Sequence, residues 1–101
     1  MKLLNSVIVA GLLAVSGSAV AGDAVAGKAV AARCVACHGM NGEGSAAMLA
    51  PKLAGQLEVY IVSSLKAFKA GTRTNPMMAP MAAGLTDADM ANVAAHYAGL
   101  K

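Results

Sequence analysis

Apolar residues recur at helical spacing in two stretches of the chain. Over 56–70, QLEVYIVSSLKAFKA, the residues Leu57, Tyr60, Ile61, Leu65 and Phe68 predict one amphipathic helix. Lys66 and Lys69 suit its C-terminal end, and Gly71 its stop. Over 87–100, Met90, Val93, Ala94 and Tyr97 predict the apolar face of another. Thr86 and Asp89 stand at its start with the spacing of a capping box, an Asp taking the acidic place. A third helix is expected over 23–37, DAVAGKAVAARCVAC, from its alanine content and from Asp23 as N-cap. No stretch alternates as a half-buried strand does, so the expected class is all-α. Two long connections join the helices, HGMNGEGSAAMLAPKLAG and GTRTNPMMAPMAAGL. Pro76 and Pro80 argue against helix in the second. Connections of this length in a small domain usually carry function.

Hydropathy sets the first residues apart. Lys2 is followed by an apolar run from Leu3 to Val15 and by small residues ending Ala19-Val20-Ala21. This is the layout of a secretory signal peptide with an A-x-A cleavage site, and the run is short for a membrane span. The expectation is a cleaved segment at 1–21, a domain at 22–101 and no stable membrane insertion of the mature chain.

Composition then raises a problem. With two Tyr, one Phe and no Trp, the chain has few large side chains to fill a core. A domain of about 80 residues sits near the lower limit of self-sufficiency, where a disulfide, a metal or a cofactor is the usual remedy. The formal net charge of +3 is too mild for a nucleic-acid binder.

The stretch Cys34 to His38, CVACH, offers the remedy. It is the C-x-x-C-H attachment pattern of haem c. Two thiols on one helical turn match the two vinyl groups they add across, and the next residue carries the imidazole to the iron. A closed zinc site needs four ligands, and only Cys34, Cys37, His38 and His96 are at hand, without a second close pair. A thioredoxin-like pair would sit beside a βαβ pattern. A plain disulfide would not need the adjacent histidine. His38 fills one axial position of the iron, and a Met opposite is the arrangement that raises the potential in electron-transfer proteins. The stretch NPMMAPM, 75–81, supplies Met77, Met78 and Met81. The Pro51 carbonyl is a candidate acceptor for the His38 Nδ1 proton, and Arg73 a candidate partner of a haem propionate. Tyr60 and Tyr97 read as core residues with a polar handle, and His96 as a solvated surface histidine.

With GKAVAARCVACHGMNGEG, PKLAGQLEVYIVSSLKAFKAGTR, the methionine loop and LTDADMANVAAHYAGL in that order, the sequence resembles a class I c-type cytochrome, most of all single domains of the c4 and c553/c5 group. The resemblance covers the chain from residue 22 onward. It implies three to four helices wrapped around one covalently bound haem, the first and last crossing near Gly27 and Tyr97. In that group the ligand loop resembles M-x-(G/P) ahead of the Leu that leads into the last helix. Laid back from Leu85, this falls on Met78-Ala79-Pro80, which makes Met78 the expected distal ligand and Met81 the alternative.

The function so implied is that of a periplasmic electron carrier and not an enzyme. Its iron would cycle between Fe(II) and Fe(III), serving a quinol-oxidising complex or a dehydrogenase on one side and a terminal oxidase or reductase on the other. A monomer or weak dimer is expected. The alternatives are a haem subunit of a larger periplasmic oxidoreductase and a haem-based sensor or peroxidase-like protein.

Overall fold

The computed structural model describes residues 22–101; the expected signal segment, 1–21, lies outside them. Helix α1 spans Ala24–Ala31, α2 Val35–His38, α3 Glu58–Ala70, α4 Met78–Ala83 and α5 Asp87–Ala98. Among the described residues there is no strand, only an isolated bridge between Ser45 and Ala50.

The expected first helix is split. Asp23 caps α1, its Oδ1 accepting from the N–H groups of Val25 at 2.9 Å and Ala26 at 3.3 Å. After Ala31 the bonding tightens to the i→i−3 pattern, with Arg33 N donating to Val30 O and Cys34 N to Ala31 O. This tighter turn rotates the next residues about the axis, and α2 then adds a single turn ending in His38. No glycine or proline marks the break, so composition cannot reveal it.

Helices α1 and α5 cross in close contact. A Cβ on Gly27 would lie 1.8 Å from the carbonyl oxygen of Asn92, so only glycine fits the crossing. The contact falls on Asn92–Val93, a turn before the expected Tyr97. Asn92 also reaches the start of α1, its Oδ1 accepting from Asp23 N at 2.9 Å. At the head of α5 the capping box is complete: Thr86 Oγ1 accepts from Asp89 N, and Asp89 Oδ2 from Thr86 N, each at 3.0 Å. Hydrogen bonds from the Thr86 backbone and side chain hold the Asp89 carboxyl below its usual range.

The core joins Ala31 of α1 with Ile61 and Leu65 of α3, Leu85, and Met90, Val93, Ala94 and Tyr97 of α5. Phe68, also of the expected α3 stripe, is buried outside this cluster, and the two remaining stripe residues are exposed. Leu57 precedes the helix and is 68% exposed, and Tyr60 is 49% exposed, so Tyr60 is no core residue.

The second connection is also more ordered than its prolines suggest. Helix α4 forms within it and contains Pro80. Pro80 occupies the first turn, where an N–H has no partner inside the helix, so the missing donor costs nothing there. Lys69 of α3 closes the far end of this connection, its Nζ donating to Leu85 O at 2.6 Å.

Candidate functional site

His38 ends α2 and is 6% exposed. Its Nδ1 lies 2.8 Å from the carbonyl oxygen of Pro51. A carbonyl can only accept, so Nδ1 carries the proton and donates it. In the neutral imidazole this leaves the Nε2 lone pair bare, which is the tautomer that binds a metal through Nε2. The chain between the two residues is folded back on itself by backbone bonds. Gly44 N donates to His38 O at 2.7 Å, and Ser45 and Ala50 exchange two bonds of 2.9 Å. Glu43 stiffens the bend, its Oε1 accepting from Asn41 N at 2.9 Å. Gly42 then anchors the return: its carbonyl accepts from both Leu53 N and Ala54 N. It sits at φ +69°, and a Cβ there would meet the Tyr97 ring at 2.8 Å.

Cys34 and Cys37 stand just ahead of this histidine as free, half-buried thiols. Burial pushes the Cys34 thiol up, so it stays protonated and uncharged. The Tyr97 hydroxyl is buried with no nitrogen or oxygen partner, and the Cys34 thiol lies against it. Burial raises the tyrosine as well.

The three methionines separate clearly. Met78 is half-buried and packs against the core cluster, whereas Met77 is 60% and Met81 41% exposed. Asn75 holds the chain ahead of them. Its Oδ1 accepts from Met77 N at 2.9 Å and from Met78 N at 3.0 Å. Sequence alone did not single out Asn75, although an Asn-Pro pair is a turn signal. Arg73 is exposed; its guanidinium lies 4.5 Å above the Phe68 ring and donates to Ser64 Oγ at 3.2 Å. His96 is half-buried on α5, its ring 5.0 Å from that of Tyr97.

The donor set fits a covalently attached haem. Two unpaired thiols one turn apart and a buried imidazole with a committed Nδ1 stand in one short segment. Among the described residues no helix is long and apolar enough to cross a membrane.

Comparison with known proteins agrees with this chemistry. The chain is 47% identical over 64 residues to cytochrome c-554(548) of Halomonas halodenitrificans, a match covering 60% of this chain and 76% of that protein. It is 46% identical over 59 residues to a thiosulfate dehydrogenase electron acceptor of Stutzerimonas stutzeri, covering 58% of this chain but 27% of that protein. The structure of cytochrome c4 from Acidithiobacillus ferrooxidans superposes with a TM-score of 0.74 at 36% identity, covering 79% of this chain and 51% of that one. The chain thus spans most of the first relative, about a quarter of the second and about half of the third. The Cytochrome c family model matches residues 24–101. Helices, thiols and histidine agree with that match from end to end, and the chain belongs to the cytochrome c family, class I in type, with covalently bound haem c and its iron as the cofactor of electron transport.

Proposed function

We propose that residues 22–101 form a periplasmic electron carrier, exported by the segment 1–21 and released by cleavage after Ala21. The observation that carries the site assignment is the His38 tautomer. A buried imidazole whose Nδ1 is held by the Pro51 carbonyl offers Nε2, and only Nε2, to a metal. In this reading Cys34 and Cys37 are the thioether residues and His38 the proximal ligand. Met78 is the distal ligand, because it alone of the three methionines packs inward. Met81 is the alternative. Arg73 has N–H groups left after its bond to Ser64, and they are the candidate partners of a propionate.

When bound, haem c supplies one-electron exchange between Fe(II) and Fe(III), with no bond made or broken. The chain's own part is to keep both axial positions filled and to limit water. One electron enters from a donor and the same electron leaves to an acceptor, so the protein catalyses no transformation itself. Donor and acceptor would be respiratory redox proteins such as a quinol-oxidising complex and a terminal oxidase or reductase, met in transient encounters.

Absorption spectra of the exported protein in both oxidation states test this reading. The expected result is one covalent haem, low-spin in both states, with a thioether signature in the ferric form. Rapid carbon monoxide binding to the reduced protein at neutral pH would overturn it in favour of a sensor or peroxidase-like role. Mass spectrometry of the exported chain checks the cleavage site.

A second reading is favoured by the Stutzerimonas relative, which is named as an electron acceptor of thiosulfate dehydrogenase. Here the chain would be the haem partner or subunit of an oxidoreductase acting on reduced sulfur. Reduction of the purified protein by such a dehydrogenase and thiosulfate, or co-purification with one, would support it; reduction by quinol-oxidising complexes alone would not.

A further inference from the structure

A thioether is a weak, neutral ligand, so its hold on the iron depends on how firmly the chain around it is placed. We propose that Asn75 is a positioning residue for Met78, holding its main chain so that the thioether stays bound against competitors. The proposal rests on the reading of Met78 as the distal ligand.

The amide donors at the start of α4 account for the role. Asn75 Oδ1 accepts from Met77 N and Met78 N, at 2.9 and 3.0 Å. The Asn75 carbonyl accepts from Ala79 N at 2.9 Å. The next residue, Pro80, has no N–H. Every donor of the first turn is therefore held by Asn75 or removed by proline. Pro76, between Asn75 and the methionines, fixes φ of the one residue that separates clamp from clamped pair. One side chain thus sets the backbone of the ligand residue from its N-terminal side. Asn75 is exposed and outside the core cluster, so its truncation leaves the packing of the fold in place.

Competition by imidazole reads the effect directly. Free imidazole displaces a thioether from ferric iron, and its apparent Kd reflects how well the thioether holds on. Two lost hydrogen bonds, partly replaced by water, correspond to about a tenfold change in that equilibrium. In the ferric holoprotein, Asn75→Ala is expected to lower the apparent imidazole Kd by about tenfold and to weaken the thioether signature. Asn75→Asp keeps an oxygen for both N–H groups and is expected to restore values near the native ones. A general loosening of the fold would not be rescued by Asp in this way.

Met78→Ala is measured alongside. Loss of the thioether signature in Met78→Ala with an unchanged imidazole Kd in Asn75→Ala overturns the proposal and leaves the ligand reading standing. Equal weakening in Asn75→Ala and Asn75→Asp overturns it too. Retention of the signature in Met78→Ala removes the ligand reading, and the proposal with it. If Asn75→Ala yields no holoprotein, Asn75→Gln, which moves the oxygen one carbon further, takes its place under the same criteria.

Discussion

Replacing Gly27 by alanine sets two magnitudes against each other. Inside an exposed helix, Gly→Ala stabilises by about 1 kcal/mol through backbone entropy. At Gly27 the new Cβ would lie 1.8 Å from Asn92 O, 2.4 Å from Asn92 C and 2.9 Å from Val93 N. All three are backbone atoms of α5, so no side chain can swing aside. Restoring ordinary contact at about 3.4 Å requires α1 and α5 to part by roughly 1.6 Å. A gap of even 0.5–1 Å forfeits roughly a quarter to a half of each dispersion contact, and the residues bordering this crossing include the buried Val93 and Ala94. Overpacking of this kind costs about 1–3 kcal/mol when side chains can adapt, and rigid backbone places the cost at the upper end. The net expectation for Gly27→Ala is a loss of about 2 kcal/mol, which for a domain of this size lowers Tm by roughly 8–16 °C. Denaturant and thermal unfolding of the holoprotein measure it. A variant as stable as the native protein, or more so, would refute the crossing geometry.

Three other contacts give further expected outcomes. Tyr97→Phe removes a buried hydroxyl without a nitrogen or oxygen partner, so it should be neutral or stabilising by up to about 1 kcal/mol in chemical denaturation; a clear loss would mean that the hydroxyl is bonded in the holoprotein. Lys69→Met breaks the tie to Leu85 O and should lower stability by about 1 kcal/mol, while Lys69→Arg should recover part of it in the same assay. The Asp89 carboxyl is held down by its bonds to Thr86, so its stabilisation is present above the ordinary carboxylate range, near about 4, and is lost as pH falls through the lowered folded value. The stability difference between native protein and Asp89→Ala should therefore be constant at neutral pH and shrink in strongly acidic buffer; a difference that persists there would contradict the capping role.

Local signals carried their information well because their physics is local. The Thr86–Asp89 box depends on two residues three apart and a following apolar face, and the helix appears where that pattern puts it. The C-x-x-C-H spacing is likewise a property of one turn. The features that escaped the sequence depend on context beyond residue type. The break after Ala31 leaves no mark in composition, since it is made by i→i−3 bonds among ordinary helix formers. Proline identity argues against helix α4, but proline position permits it, since in the first turn the missing N–H is harmless. The exposure of Leu57 and Tyr60 could not be read from a periodicity that records spacing but not which side a neighbour occupies.

The candidate site shows the same division at finer grain. Pro51 can be named from the sequence as an acceptor for His38, but a carbonyl thirteen residues away is useful only if the intervening chain is closed. The closure comes from the Ser45–Ala50 pair, from Gly44 N on His38 O, and from Gly42, whose carbonyl receives two amides while its missing side chain makes room for Tyr97. The same Tyr97 stands against Cys34. One aromatic residue of α5 is thus packed between the thiol segment and the loop that orients the imidazole. This gives the last helix a role that its amphipathic pattern did not disclose: it sets the distance between α2 and the Pro51 loop. A change at the α1–α5 crossing, such as Gly27→Ala, should therefore disturb the His38 environment as well as the stability. The His38 ring protons would report that in NMR spectra recorded well below Tm.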